Sequence, residues 1–160
     1  MKLTRAEAEA FLFHESELLD NWELKEWAEL FTDDATYLVP PLDHPEGVPD
    51  KDLFLIYDDR HRLEQRALRL LKTTAHVEFP HSKTRRLITN VRVTEIAGDV
   101  AYVAANFVVY RSRLDTLDCF PGHAEYEVVA RADNGLAFRS KRAVLDLGTL
   151  RPHGKLSIIL

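Results

Sequence analysis

The runs DDRHRLEQRALRL (58–70) and SKTRRLITNV (82–91) decide the fold of this chain. Asp58 or Asp59 is predicted to cap a helix that extends to about residue 72, because aspartate side chains accept hydrogen bonds from the free N–H groups of a helix start. The second run opens a strand rich in β-branched residues. The chain therefore changes from helical to β-rich between the two runs.

Upstream of this point the pattern is mostly helical. Thr4 followed by Glu7 is a capping box, in which each residue satisfies a backbone N–H of the other. Apolar residues then recur at helical spacing. The predicted elements are a helix at about 5–19, a second helix at about 23–31, a turn at 32–34 and a strand at 35–39 that Pro40 and Pro41 stop.

Downstream, long strands are expected, separated by the turns Gly98-Asp99 and Asn134-Gly135. They are predicted at about 85–96, 100–112, 123–132 and 136–146. The terminal run LSIIL (156–160) is too apolar to remain in solvent, so we expect it to dock on the rest of the chain.

Helices first and antiparallel strands afterwards predict an α+β fold. We expect one domain over residues 1–160, with a helical part at about 1–75 and a sheet part at about 76–160. A strongly curved antiparallel sheet would wrap around about three N-terminal helices.

Composition excludes several classes of function. The 160 residues carry a net charge of −5, which argues against a general nucleic-acid binder. No apolar run approaches the length of a membrane span, and the N-terminus lacks the apolar core of a secretory signal. Cys119 is the one cysteine, which excludes an internal disulfide and fits a reducing cytoplasm. An iron–sulfur cluster needs at least two cysteines, so this chain cannot build one alone.

Several motifs, taken in their order and spacing, resemble one known family. They are FLFHESELLD (11–20), WAELFTDDATYLVP (27–40), the runs at 58–70 and 82–91, YRSR (110–113) and FPGHAEY (120–126), followed by a late lysine-containing strand and an apolar tail. Together they resemble the small (beta) subunit of Rieske-type aromatic-ring-hydroxylating dioxygenases.

This resemblance implies a cystatin-like, or nuclear transport factor-like, cone. It implies a structural, non-catalytic subunit of an NADH-dependent dioxygenase of aromatic compound degradation, assembled with a large (alpha) subunit, commonly as three alpha and three beta chains. The large subunit of such an enzyme holds the Rieske 2Fe-2S cluster and the mononuclear Fe(II), and reductase or ferredoxin components supply electrons. The small chain would then hold no catalytic, cofactor or metal site and would be cytoplasmic.

Arginines are the least ordinary feature of the sequence. Arg62, Arg66 and Arg69 share one face of the predicted helix, and Arg85 and Arg86 follow in the next strand. Arginine is enriched at interfaces because its planar group pairs with carboxylates in a bidentate manner. We therefore expect these five residues to form a subunit-docking surface, and charge reversal at Arg85 and Arg86 to weaken assembly. The alternative is an ordinary solvated face.

A second function is compatible with the same fold, namely a freestanding isomerase or dehydratase with an internal acid–base pocket. Glu15 lies on the apolar stripe of the first helix, so it is either a catalytic acid or a structural ion-pair partner. We favour an ion pair with one of the arginines. The candidate acid–base residues are His14, Glu15, Tyr37, Asp58, Tyr102 and Tyr110.

Other candidate sites have simpler explanations. A non-haem iron site needs two histidines and a carboxylate that face one point, and His76, Glu78 and His81 do not share a strand face. The aspartate pairs at 33–34 and 58–59 fit a turn and a helix cap better than catalysis. Cys119 has no sequence feature of a reactive thiol, and we expect it to be inert.

Overall fold

A computed structural model describes residues 1–72, 80–150 and 156–160 of the chain. The helices are α1 (Arg5–Asp20), α2 (Leu24–Ala28) and α3 (Arg60–Leu70). The strands are β1 (Phe31–Val39), β2 (Ile56–Asp59), β3 (Lys83–Ala97), β4 (Val100–Arg113), β5 (Thr116–Ala130) and β6 (Leu136–Leu145).

Side-chain caps fix the starts of the two longer helices. The Thr4 hydroxyl accepts from the Glu7 N–H at 3.2 Å, and the Glu7 carboxylate accepts from the Thr4 N–H at 2.8 Å, so the predicted capping box is present. In α3, Asp59 accepts from the Arg62 N–H at 2.8 Å. Helices α1 and α3 therefore begin directly after the residues that were predicted to cap them.

Within the described residues, six strands form one curled, open sheet in the order β2-β1-β6-β5-β4-β3. The long pairs β3–β4, β4–β5 and β5–β6 are antiparallel, as predicted. The β1–β6 pair is parallel, and its two strands are far apart in the chain, since parallel neighbours cannot be joined by a tight hairpin. The sheet is therefore mixed, and the expectation of a purely antiparallel sheet was wrong in this one pair.

Two local predictions around β1 and β2 were also wrong. Helix α2 ends at Ala28 and β1 begins at Phe31, so residues 32–34 belong to the strand and not to a turn. The β1–β6 register shifts between Phe31 and Thr36, so the polar residues 32–34 lie in an irregular part of the strand. Strand β2 was not predicted, and its last residue, Asp59, is also the N-cap of α3.

Strand β5 begins seven residues before its predicted start at 123 because Pro121 does not interrupt it. Pro121 faces Val108 of β4, yet its carbonyl accepts from the Asp146 N–H on the opposite edge. The nitrogen and carbonyl of one strand residue point to the same edge, so the missing N–H leaves the β4 ladder intact.

The core lies between the helices and the concave face of the sheet. Its largest fully buried side chains include Trp27, Tyr37 and Phe138. Ile158, Ile159 and Leu160 are buried in the same cluster. The prediction that the apolar tail docks on the chain is confirmed.

Candidate functional site

The interior of the cone contains a charged pair. Glu15 of α1 and Lys141 of β6 are both buried, and the Lys141 Nζ lies 2.9 Å from the Glu15 Oε2. The same carboxylate oxygen accepts from the Trp27 Nε1 at 3.0 Å. A buried charge is tolerated when it is paired and hydrogen-bonded, and both conditions hold here.

Residues 158–160 close this cluster. The Lys141 Nζ also donates to the Leu160 main-chain oxygen at 2.5 Å, and the Leu160 N–H donates to the Tyr37 hydroxyl at 3.0 Å. Arg86 donates to the Ile159 carbonyl. The polar groups inside the cone are thus used to hold the chain's own tail.

Burial dominates the electrostatics of the interior. It lowers the pKa of Lys141, and the Glu15 carboxylate partly opposes that effect. It raises the pKa of Tyr37 and of Tyr126 well above their ordinary range. Both tyrosines therefore stay protonated at neutral pH, and Tyr37 can donate or accept hydrogen bonds but is not a base.

The ion pair predicted for Glu15 is present, but its partner is Lys141 and not an arginine. Lys141 was not among the predicted site residues, although the strand pattern contains a signal for it. Lys141 precedes the buried residues Ala143 and Leu145 by two and four positions, and strand side chains alternate between faces with period two. That periodicity places Lys141 on the dry face, opposite Glu15.

The remaining acid–base candidates do not meet in the interior. In β4 the alternating burial pattern puts Tyr102 and Tyr110 on the outer face of the sheet, away from Glu15. His14 is exposed on α1. Asp58 is buried and paired with Arg66. Of the six candidates, only Glu15 and Tyr37 approach the same group of atoms, through Lys141 and Leu160.

The outer face of the sheet has a groove of about 440 Å³. Tyr102, Glu125 and Arg142 are among its lining residues, and it is open to solvent. The lining combines an aromatic ring with charges of both signs. Such a surface is typical of a polar interface rather than of an enclosed catalytic pocket.

The arginines divide into two groups. Arg62, Arg69 and Arg85 are exposed. Arg66 forms a bidentate contact with Asp58, with its Nε 2.6 Å and its Nη2 3.2 Å from the carboxylate oxygens. This pair joins α3 to the end of β2, so Arg66 has a structural role in addition to any role in docking.

Arg86 has a buried side chain, so the five arginines do not form the one continuous exposed surface that was predicted. Its side chain is only 5 % exposed and its Nη1 lies 2.6 Å from the Asp20 Oδ1. Adjacent strand residues point to opposite faces, so Arg85 faces solvent while Arg86 faces the core. Arg86 anchors α1 and the tail to β3, and a docking contact by the same group would require it to leave Asp20.

No other candidate forms a site in the part of the chain that is described. Within residues 1–72, 80–150 and 156–160 no group of three or more metal-binding side chains comes together. His76 and Glu78 lie outside those residues, and His81 stacks on Trp22 with 3.9 Å between ring centroids. Asp33, Asp34 and Cys119 are exposed. Among the described helices, none combines the length and apolar character that a bilayer span requires.

Comparison with known proteins identifies several relatives. Residues 14–151 match the family model described as the ring hydroxylating beta subunit. The chain is 46% identical over 159 residues to the small oxygenase component of the p-cumate 2,3-dioxygenase system of Pseudomonas putida, covering 99% of this chain and 88% of that protein. It is 32% identical over 121 residues to the beta subunit of the 3-phenylpropionate/cinnamic acid dioxygenase of Photorhabdus laumondii, covering 71% and 67%.

A solved structure has the same fold. The beta subunit of the benzoate 1,2-dioxygenase of Burkholderia mallei superposes with a TM-score of 0.74 at 28% identity, covering 91% of this chain and 92% of that one. This agreement confirms the expected α+β cone with its curved sheet and N-terminal helices.

Proposed function

Because the chain belongs to the ring-hydroxylating beta subunit family, we propose that it is the structural small subunit of a multicomponent aromatic-ring-hydroxylating dioxygenase. The observation that carries this proposal is 46% identity, over almost the whole chain, to the small oxygenase component of such a system. The alternative, a freestanding isomerase or dehydratase, is supported less well than this function.

The proposed partner is a large (alpha) subunit, and we propose three copies of each chain in the complex. The large subunit would hold the Rieske cluster and the mononuclear Fe(II), and it would receive electrons from NADH through reductase or ferredoxin components. The single cysteine of this chain does not fit a Rieske cluster, which needs two cysteines and two histidines. We place the complex in the cytoplasm.

The closed interior supports a non-catalytic role. An acid–base enzyme needs its acid or base within hydrogen-bond reach of a substrate. Here Glu15 is bonded to Lys141 and Trp27, and Tyr37 is bonded to Leu160. These contacts occupy the groups that a substrate would need.

The exposed arginines support a docking role on the outside. Arg62 and Arg69 of α3 and Arg85 of β3 are exposed to solvent. We propose that they contact carboxylates of the large subunit, because bidentate arginine–carboxylate pairs give an interface its orientation as well as affinity.

Co-expression with the large subunit encoded in the same genome tests the proposal. We expect a stable complex of both chains by native mass measurement, and ring oxygenation by the complex with its electron donors. The small chain alone should show no turnover of an aromatic ring. If the isolated chain oxygenates or isomerises a substrate, or if the two chains stay separate, the proposal fails.

A further inference from the structure

The tail of this chain is held as a ligand would be. Three successive backbone polar groups bond to the side chains of Arg86, Tyr37 and Lys141, namely the Ile159 carbonyl, the Leu160 N–H and the Leu160 main-chain oxygen. Residues 158–160 are 3–4 % exposed. The segment has neither helix nor strand structure. Anchoring of a few polar atoms within an apolar enclosure is the arrangement of a small-molecule site.

From this we infer that residues 158–160 close a binding site for a small apolar molecule that carries a carbonyl-type oxygen, and that displacing the tail opens it. In this site Lys141 would donate to the oxygen that replaces the Leu160 main-chain oxygen. Tyr37 would donate or accept beside it. Binding at this site is independent of the proposed function, since Lys141 and Tyr37 do not belong to the docking surface.

The surroundings of Lys141 define the class of ligand. Its Nζ lies 5.8 Å from the ring centroids of both Tyr37 and Tyr126. Tyr126 in turn stacks on Phe138 at 5.2 Å. Two aromatic faces beside a few buried polar groups favour a flat or branched apolar body with one acceptor, and they disfavour a sugar or a phosphate with many polar groups to satisfy.

Glu15 favours the charged form of Lys141, which is the hydrogen-bond donor of this site. The Glu15 carboxylate balances the charge of Lys141, and its other contact is the Trp27 N–H. A ketone oxygen would join this neutral pair, whereas a carboxylate would add a negative charge and use the lysine as its counter-ion. Both ligands share the sp² acceptor oxygen, and the experiment separates them.

The first measurement asks whether the tail is the closure. The chain has two tryptophans, so a Trp22→Phe background leaves Trp27, which is fully buried, as the single reporter. We expect removal of residues 156–160 to make Trp27 emission accessible to acrylamide, while the tailed chain stays protected. A Leu114→Ser/Leu117→Ser variant is the matched control, because it removes apolar side chains that are already exposed.

The second measurement asks what the opened site binds. Calorimetric titration of the tail-deleted chain would compare 4-butylacetophenone, 4-butylbenzoate and butylbenzene. We expect one or both oxygen-bearing probes to bind about tenfold more tightly than the hydrocarbon, the effect of one additional buried hydrogen bond. The chain with its tail should bind none of them, and a synthetic LSIIL peptide should compete. The preferred probe identifies the ligand as a neutral carbonyl compound or a carboxylate.

Two results overturn the inference. One is a folded, tail-deleted chain whose Trp27 stays protected, and the other is equal binding of butylbenzene and the oxygen-bearing probes. If the deletion prevents folding, Ile159→Ser in the full-length chain replaces it. That variant should show partial acrylamide access and weaker probe binding, and native protection with no binding would overturn the inference equally.

Discussion

The Glu15–Lys141 pair is the most consequential contact at the residue scale. It joins α1 to β6 across the interior and lies next to Trp27, Tyr37 and the tail. If one partner of a buried pair is removed, the other charge is left uncompensated in a medium of low polarity. The free-energy cost of that uncompensated charge exceeds the net stabilisation that the intact pair provides. The pair therefore specifies how helix, sheet and tail fit together.

Replacement of one partner should destabilise the chain strongly. For Lys141→Met or Glu15→Gln alone we expect a loss of about 3–5 kcal/mol in the free energy of unfolding. The double variant should lose less than the sum of the two, because neither charge is then left alone. Urea unfolding followed by circular dichroism measures this coupling.

The control for this pair is a surface contact. Arg139 and Glu127 lie 2.7 Å apart, with about a third of each side chain exposed. Glu127→Gln should cost at most about 1 kcal/mol, since solvent screens exposed pairs. Additive losses at Glu15 and Lys141 would contradict the structural role given to their contact.

The buried tyrosines predict a decline of stability in alkali. Burial raises the pKa of Tyr37 and Tyr126 above the ordinary value of 10.0, so their contribution is fully present below pH 10.0 and is lost as pH rises above it. Lys141 has a lowered pKa, so its contribution grows with pH up to 10.5 and is constant beyond. Above pH 10.5 the decline should therefore reflect the tyrosines.

Each tyrosine should contribute up to about 1.4 kcal/mol per pH unit to this decline. Tyr37→Phe and Tyr126→Phe should each make the slope shallower, whatever they do to stability at neutral pH. Denaturant unfolding between pH 10.5 and 11.5 measures the slope. Tyr57→Phe is the control, because Tyr57 is 46% exposed in the folded chain. An unchanged slope in both core variants would contradict the assignment.

At the element scale, local signals predicted what local physics determines. The capping box at Thr4, the Asp59 cap and the Asn134-Gly135 turn each depend on neighbours in sequence, and each appears in the structure. The β1–β6 parallel pairing and the Lys141 partner of Glu15 join residues more than a hundred positions apart. Sequence periodicity gives the face of a strand but not the strand or helix that it meets.

Gly122 shows how a single residue permits one strand pairing. A Cβ at this position would lie 2.1 Å from the Val144 carbonyl oxygen and 2.7 Å from the Phe107 ring. Glycine in a strand often marks such a close approach of another backbone. Gly122→Ala should therefore cost about 3 kcal/mol or more, because β6 must move away from β5. Thermal unfolding measures the loss.

Gly148 provides the matched substitution for this test. A Cβ there would meet nothing within 4 Å. Gly148→Ala should leave the melting temperature nearly unchanged or raise it slightly, because alanine restricts the unfolded chain. Similar melting temperatures for the two alanine variants would show that β5 and β6 do not approach each other as described.

At the scale of the whole molecule, the described interior is packed with buried side chains, whereas the surface retains large exposed apolar side chains. Leu53, Leu114 and Leu117 expose 92%, 95% and 68% of their area, at a loop and at the β4–β5 hairpin. Exposed apolar side chains near charged rims are typical of surfaces that another protein covers. This distribution fits a subunit whose function depends on its contacts.

Substitutions at the adjacent residues Arg85 and Arg86 should affect different properties, namely assembly at Arg85 and folding stability at Arg86. Arg85→Glu should leave thermal unfolding of the small subunit unchanged and weaken its complex with the large subunit at least about tenfold, since a like charge replaces an attractive one at the interface. Arg86→Glu should instead destabilise the small subunit itself by about 3–5 kcal/mol, because it places a buried carboxylate beside Asp20.

Analytical ultracentrifugation of each variant with the large subunit, together with thermal unfolding of the small subunit alone, measures both effects. Arg5→Glu is the charge-matched control, because Arg5 is 73% exposed on α1 and belongs to no proposed docking surface. It should assemble as the unmodified chain does. If Arg85→Glu assembles equally well, the large subunit binds elsewhere on the cone. The exposed leucines at 114 and 117 would then be the next surface to test, since their apolar area has the stronger reason to be covered.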